Sequence, residues 1–561
     1  MKKILLLLVC IAFIKFSFSQ PPGMGSVTWM PDGNSYSTIE NYSIVKTELP
    51  SLSKTVLYDL DKIIPRDEKH PRILSSFLLS NDMKQVLLKI NTKTKYHKTT
   101  GEVWIYDPRK NNIVQLGKKL NPEALMYPKF SPDGSMVAYA YQDKSEFKVV
   151  YNLYVEEVKT GEIRQLTFDT KDRSINGTFD WVYAEELFCT DGFRWSNDGT
   201  RIAFWNIDAS KVRNYLMLNT TDSIYPFTVP VEYPKAGEDP SPAKIGVVNV
   251  ATAQTIWMNI EGDPRQNYLT RMEWSSKNEL IIQQLTRKQN VSNIWLANTE
   301  TGNSKLLWSD SDQAWVDLEA TWNTNSNTGW NWIEGGKAFV WASEKDGWRH
   351  LYRIGMDGKE SLITKGDFDV IKIYLIDERS NTLYFAATPE NATQRYLYAT
   401  KLDGSESPRR ITPADFTGTN EYLVSPNGKW SRHNFSSHLF SPASEWVALP
   451  AHTPVDPAKS IAKNLKEDPM GKQISFFKVT TEDGITLDGW IAKPKDFDPA
   501  KKYPVFFYVY GEPWGCTVFD NSRLGRSGQF GGNIPDMGYL YVSVDCRGSM
   551  APRGREWRKS I

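Results

Sequence analysis

One unit recurs along residues 29–455 of this chain, and few folds can absorb it. In each copy an aromatic or apolar residue precedes a Ser/Asn/Asp/Gly turn, and an alternating apolar strand follows. Phe130-Ser131-Pro132-Asp133-Gly134, leading into residues 136–141, is the clearest copy. Trp195-Ser196-Asn197-Asp198-Gly199, leading into residues 202–205, is the next. Weaker copies begin at Trp29, Phe77, Trp274, Trp332, Tyr374 and Phe440. The Asp-Gly step supplies the positive-φ positions that a tight hairpin needs. Most units continue into a second hairpin, with turns at Asp107-Pro108, Lys159-Thr160-Gly161, Thr301-Gly302, Asp357-Gly358 and Asp403-Gly404. Four short strands recurring every ~40–80 residues are the signature of a β-propeller. A sandwich does not repeat in this way. The eight copies predict an all-β eight-bladed propeller over residues 29–455.

Composition agrees with that reading and narrows the function. At 561 residues the chain exceeds one typical domain. Its 20 Trp, 26 Tyr and 25 Phe suit pleated faces that pack aromatic side chains. A net charge of +1 without a basic stripe argues against nucleic acid or an anionic membrane surface as partner. Met1-Lys2-Lys3, the apolar run 4–16 and Ser17-Phe18-Ser19 have the three parts of a secretory signal, so residues 1–19 are expected to be removed on export. The run is short for a bilayer span, and cleavage is favoured over anchoring. The expected location is periplasmic or extracellular, with a membrane-associated form as the alternative. Cys189, Cys516 and Cys546 then remain, widely spaced and odd in number, which predicts neither a disulfide framework nor a zinc site. No phosphate-cradling Gly-rich loop and no metal-ligand spacing stands out, so no cofactor is expected.

The pattern changes near Pro454. A charged, weakly helical linker covers 456–472, and a hairpin follows around Glu482-Asp483-Gly484. Residues 505–510 and 539–545 are dense apolar strands of the kind buried on both faces. Residues 473–561 therefore read as the start of an α/β-hydrolase domain. That fold places its nucleophile in a Gly-x-Ser-x-Gly elbow after these strands, with the acid and histidine later still. No such pentapeptide occurs here; Gly525-Arg526-Ser527-Gly528 fails at Gln529. The triad is expected beyond Ile561, and the segment in hand is expected not to hydrolyse anything by itself. Tyr510, at the end of the first dense strand, stands where such enzymes build part of the oxyanion hole, and a core strand-end role competes with that one.

Two insertions interrupt the repeat, at 169–193 and 212–243. The first holds Glu185 and Glu186 beside Trp181 and Tyr183. A terminal ammonium has three donors and one positive charge, so two neighbouring carboxylates suit it. Like charges this close repel, and one pKa should rise unless a cation lies between them. An ordinary exposed helical turn is the competing reading.

Asp180-Trp181-Val182-Tyr183-Ala184-Glu185-Glu186 resembles the double-glutamate motif of the dipeptidyl peptidase IV subfamily of the prolyl oligopeptidase family of serine peptidases. Five further stretches resemble the same subfamily in the same order. They are Ser343-Glu344-Lys345-Asp346-Gly347-Trp348-Arg349-His350-Leu351-Tyr352, Ile363-Thr364-Lys365-Gly366, Lys501-Lys502-Tyr503-Pro504, Tyr510-Gly511-Glu512-Pro513 and Asp545-Cys546-Arg547-Gly548-Ser549. The resemblance implies a propeller capping an α/β-hydrolase, with the active site in the cavity between them. It implies that Glu185 and Glu186 bind the free N-terminus of a peptide substrate, limiting cleavage to dipeptide release after Pro or Ala. It implies an oxyanion-hole role for Tyr510 and a tendency to form homodimers. Two departures matter. The substrate-orienting Arg of the subfamily would align near Tyr96-His97, where no Arg stands, and Lys95 is the nearest cationic substitute. The residue before the pair is Ala184, not an acid. Both leave dipeptide versus tripeptide release open. The alternative class is a non-catalytic periplasmic propeller that binds peptides or protein partners.

Overall fold

The computed structural model describes residues 27–66, 72–95, 97–143, 148–317, 330–513, 515–527 and 532–561. The signal-like segment 1–19, Tyr96 and Trp514 lie outside them. The described chain is mostly β, laid out as antiparallel four-stranded meanders in sequence order. The first comprises Thr28–Trp29, Ser35–Glu40, Ser43–Glu48 and Lys54–Asp59. Four more separate sheets of this kind cover 267–311, 331–362, 370–410 and 419–454. Between them, over 74–257, the meanders merge into one 13-stranded sheet. The joins are the bridges of Thr100 to Met126 and, in parallel, Tyr151 to Ile175.

Hydrogen bonding explains the repeated turn. Ser131 is buried; its hydroxyl donates to Asp133 Oδ1 at 2.6 Å and accepts the Met136 N–H at 3.0 Å. Asp133 in turn accepts the Ser135 N–H at 3.1 Å, and Gly134 sits at φ 71°. Ser196 with Asp198, Ser80 with Asp82 and Ser425 with Asn427 repeat the arrangement. The serine thus satisfies a strand-end N–H that would otherwise be buried unpaired.

The first meander packs against the last. Trp446 stacks on Tyr36 at 4.3 Å and meets Trp29 edge-on at 5.5 Å. Asn427 Nδ2 donates to the Asp32 carbonyl at 2.9 Å. Between meanders the core is aromatic: Trp330, Phe339 and Trp341 are buried with ring centroids 5.0–6.0 Å apart.

After the helix Ile461–Asn464 the chain forms a mixed sheet. Its order is Ile474–Thr480, Thr486–Ala492, Leu540–Val544, Val505–Phe507, and the last two strands are parallel. One expectation is corrected here. The stretch 505–510 is not a strand buried on both faces: only Val505–Phe507 is extended, and Val505, Phe507 and Val509 are 47%, 63% and 64% exposed. It lies at the outer edge of the sheet, so one ladder side and part of a face stay open.

Two attachments fix this sheet to the meanders. Arg558, on the helix Gly554–Lys559, is buried against Glu344 and Asp369, with Nη1 2.6 Å from Asp369 Oδ2. Asp520 accepts the His438 N–H and faces its Nδ1, both at 2.8 Å, while the Thr419 hydroxyl donates to the Asp520 carbonyl at 2.7 Å.

Candidate active site

The first insertion folds into the five-residue helix Trp181–Glu185. Asp180 caps it, with Oδ1 accepting the Tyr183 N–H at 3.2 Å, an interaction worth about 0.5–2 kcal/mol. Its Oδ2 accepts the Ser241 hydroxyl at 2.6 Å, which ties the first insertion to the end of the second. Burial raises the Asp180 pKa, against the opposing effect of those two hydrogen bonds and the Lys98 ammonium. Tyr183, Ala184 and Leu187 face inward. The Tyr183 hydroxyl accepts the Leu269 N–H at 3.1 Å, and its ring stacks on Phe179 at 5.6 Å. With those positions buried, helical spacing turns Glu185 and Glu186 outward.

Both acids stand at the C-terminal end of the helix, and no basic residue occupies its last turn. The orphan carbonyls there carry partial negative charge, so the pair is unfavourable for the isolated helix and well suited to an external cation. The chain beyond is anchored by Arg271, buried, whose Nη1 donates to the Leu187 carbonyl at 3.0 Å and to the Thr270 carbonyl at 2.8 Å.

Facing Glu185 is His97. The strands Val86–Lys95 and Lys98–Asp107 extend ten residues each, and Lys95 pairs with Lys98. His97, just before Lys98 at the end of this hairpin, has φ 64°. This long hairpin brings His97 Nε2 to 2.5 Å from Glu185 Oε2, both side chains being partly buried. The Tyr127 hydroxyl donates to the His97 carbonyl at 3.1 Å and holds the tip. Burial pushes the Tyr127 phenol up to about 12, so it stays a donor throughout the physiological range. An imidazole is thus in contact with one acid of the pair.

Tyr510 enters from the mixed sheet. It follows the strand Val505–Phe507 and is 40% exposed. Its ring packs so tightly on Gly515 that a Cβ there would meet ring atoms at 2.8 Å. Partial burial, then Glu512, raises the phenol's pKa, and the Glu186 carboxylate adds to the rise. Glu186 also raises Tyr268, although burial is the larger cause there and Arg287 opposes it. The Glu186 charge is therefore felt on both sides, by the strand-end tyrosine and by the meander beneath. Of the sequence-predicted site residues, Glu185 and Glu186 stand side by side at the helix end, and Tyr510 is linked to them through the Glu186 charge. His97 was missed in that role, because nothing local in the sequence reports a contact made by a hairpin 88 residues away.

The fold is that of a chain of serial four-stranded β units running into a mixed sheet, with an acid pair on an insertion of the β units and a tyrosine after an edge strand of the mixed sheet. Residues 80–441 match the family described as Dipeptidyl peptidase IV (DPP IV) N-terminal region. Over 507 residues the chain is 26% identical to a probable dipeptidyl-aminopeptidase B of Coccidioides posadasii, covering 84% of this chain and 52% of that protein. It is 24% identical over 569 residues to dipeptidyl peptidase 4 of Trichophyton rubrum, covering 96% and 69%. The crystal structure of Porphyromonas gingivalis dipeptidyl peptidase 4 is similar at a TM-score of 0.81 and 26% identity, over 95% of this chain and 73% of that one. The chain belongs to the dipeptidyl peptidase IV subfamily of the prolyl oligopeptidase family. It spans about half the length of the first of these curated relatives.

Proposed function

We propose that this chain is the substrate-selecting part of an exported serine exopeptidase that releases N-terminal dipeptides after proline or alanine. What supports the reading is the Glu185–Glu186 pair at the helix end, held beside His97, with the Glu186 charge adding to the raised pKa of the Tyr510 hydroxyl. In this reading residues 29–455 form an eight-bladed propeller, and residues 473–561 begin an α/β-hydrolase domain. The contact between the first and last meanders supports ring closure. The parallel pairing of Val505–Phe507 with Leu540–Val544 supports the hydrolase assignment.

The chemistry follows from the geometry. A substrate's terminal ammonium binds between the two carboxylates, displacing the His97 imidazole from Glu185. An N-terminus held there sets how many residues reach the scissile carbonyl, which makes the enzyme an exopeptidase. In a whole protein that also carries a Ser-Asp-His triad, the Tyr510 hydroxyl donates to the oxyanion as the tetrahedral intermediate forms.

The test compares a Gly-Pro anilide with its N-acetyl derivative, using the full-length enzyme. A hydrogen bond to a charged group is worth roughly 1.5–3 kcal/mol, so Glu185→Ala or Glu186→Ala should each lower kcat/KM about 10- to 150-fold, chiefly through KM. Equal turnover of the acetylated substrate, or full activity in the double variant, would sink the amine-trap role. A better rate on Ala-Ala-Pro than on Ala-Pro anilide would reassign the enzyme to tripeptide release.

A further inference from the structure

A second cluster lies far from this site, in the last meander. His433, on the strand Trp430–Ser436, pairs directly across the ladder with Glu445 on the strand Ala443–Ala448. His452 follows on the connection to the next strand, and all three side chains are buried. Their nearest donor atoms lie within 4.8 Å of one another.

The hydrogen-bond network fixes where the protons are. Asn420 Nδ2 donates to the carbonyls of Arg395 and Phe416, both at 3.0 Å, and lies 3.4 Å from that of Gly418. Its amide cannot be flipped without losing these contacts, so Oδ1 faces His433 Nε2 at 2.8 Å and Nε2 must carry the hydrogen. A neutral imidazole has one such hydrogen, and Nδ1 is then a lone pair. That lone pair points at Glu445 Oε1, 3.1 Å away, while Glu445 Oε2 accepts the Ile461 N–H at 3.1 Å. Two acceptors that close, away from water, require a cation between them.

We propose that His433, Glu445 and His452 bind one divalent transition-metal ion of the zinc class. Two imidazoles and a carboxylate are a zinc donor set, and ligands on tetrahedral zinc stand roughly 3.3 Å apart given bonds of about 2.0–2.2 Å. His433 and Glu445 already have that separation. His452, whose ring centroid is 4.8 Å from that of His433 and whose donor atom lies within 4.8 Å of the other two, supplies the third donor. A bridging proton is the competing cation; it joins His433 to Glu445 by one hydrogen bond and does not engage His452, whose Nε2 faces Tyr422. Asn420 at His433 Nε2 and the Tyr422 hydroxyl 2.9 Å from His452 Nε2 are the outer partners that orient metal-bound imidazoles. Because Ile461 opens the helix Ile461–Asn464 toward the mixed sheet, the ion would stiffen the joint between the two parts of the chain.

The experiment is a titration of the chelator-treated full chain with zinc chloride against a chromophoric competitor, paired with melting curves with and without zinc. One equivalent is expected to bind and to raise the melting midpoint. Glu445→Gln separates folding from binding, because its amide N–H can donate to the Nδ1 lone pair and satisfy the network without a cation. It should melt no lower than the metal-free parent and bind zinc at least tenfold more weakly, as should His452→Gln. A parent that takes up no stoichiometric zinc, or variants that bind it as tightly as the parent, would overturn the proposal.

Discussion

At the scale of single residues, the site was legible where its chemistry is local and illegible where it depends on the fold. The acid pair shows in the sequence because Glu185 and Glu186 are adjacent, and Tyr510 because a dense apolar run precedes it. His97 shows only as a missing arginine. Its contact with Glu185 depends on a hairpin of two ten-residue strands and on its own left-handed backbone, neither of which leaves a sequence mark. Tyr510 lends itself to a direct test. Burial and then Glu512 hold its phenol above the ordinary value, so the group remains a donor from acid to mildly alkaline pH. Tyr510→Phe is expected to lower kcat of the full-length enzyme about 10²- to 10³-fold, the range for one oxyanion donor, with KM nearly unchanged. The deficit should be the same at pH 6 and pH 9. A loss confined to KM would assign the tyrosine to binding alone.

At the scale of elements, the repeat was readable because each turn is specified by four consecutive residues. The Ser-Pro-Asp-Gly spelling identifies the turn, while the structure supplies its reason: the serine accepts a strand-end N–H and donates to the aspartate. Ser131→Ala should therefore cost about 1–3 kcal/mol in urea unfolding, since it leaves the Met136 N–H without its side-chain acceptor in a buried turn. A cost below a few tenths would mean that the backbone satisfies the turn alone. Strand 505–507 shows the opposite case. Apolar density cannot distinguish a central strand from an edge strand, because neighbours, not composition, decide which faces are covered. The second insertion was visible as an interruption, but not as the hairpin of Asn214–Asn219 and Phe227–Glu232 that forms a sheet of its own. Its Tyr215, Leu216, Met217 and Leu218 are 48–61% exposed in an unbroken run, so side chains on both faces are uncovered. If the expected homodimer forms through this hairpin, edge-to-edge pairing with a second copy would cover it. Light scattering after gel filtration should give a dimer mass for the parent and a monomer mass for the Leu216→Lys/Leu218→Lys variant. Identical masses for the two would remove the hairpin from any interface.

At the scale of the whole molecule, the proposed function depends on fixing the mixed sheet that carries Tyr510 to the β meanders that carry the acid pair, and a buried charge network is one of the clamps. Arg349, Arg558 and Lys559 meet Asp317, Glu344 and Asp369 in a buried contact between the helix Gly554–Lys559 and the meander 331–362 with its flanking residues. The sequence offers Arg553, Arg555, Arg558 and Lys559 within seven residues and gives no sign that Arg558 is the one 2% exposed, because burial here is decided by the partner surface. Burial alone would raise Asp317, but Arg349, Arg558 and Lys559 outweigh it and hold the carboxyl down at about 2. The folded value lies below the unfolded one of about 3.9, so the folded state binds fewer protons between them. The stability this group contributes is complete above about pH 4 and is lost as pH falls through 2. Arg558→Ala leaves Asp369, Glu344 and Asp317 short of a cation, and breaking a buried pair in this way costs about 3–5 kcal/mol. Its melting at pH 7 should drop accordingly, with the mixed sheet releasing before the β meanders as a separate calorimetric transition. Its further loss between pH 4 and 2 should be smaller than the parent's, since raising the Asp317 pKa toward the unfolded value removes the proton linkage. A single transition at the parent's temperature would show that Asp520 and its partners suffice to hold the two parts together.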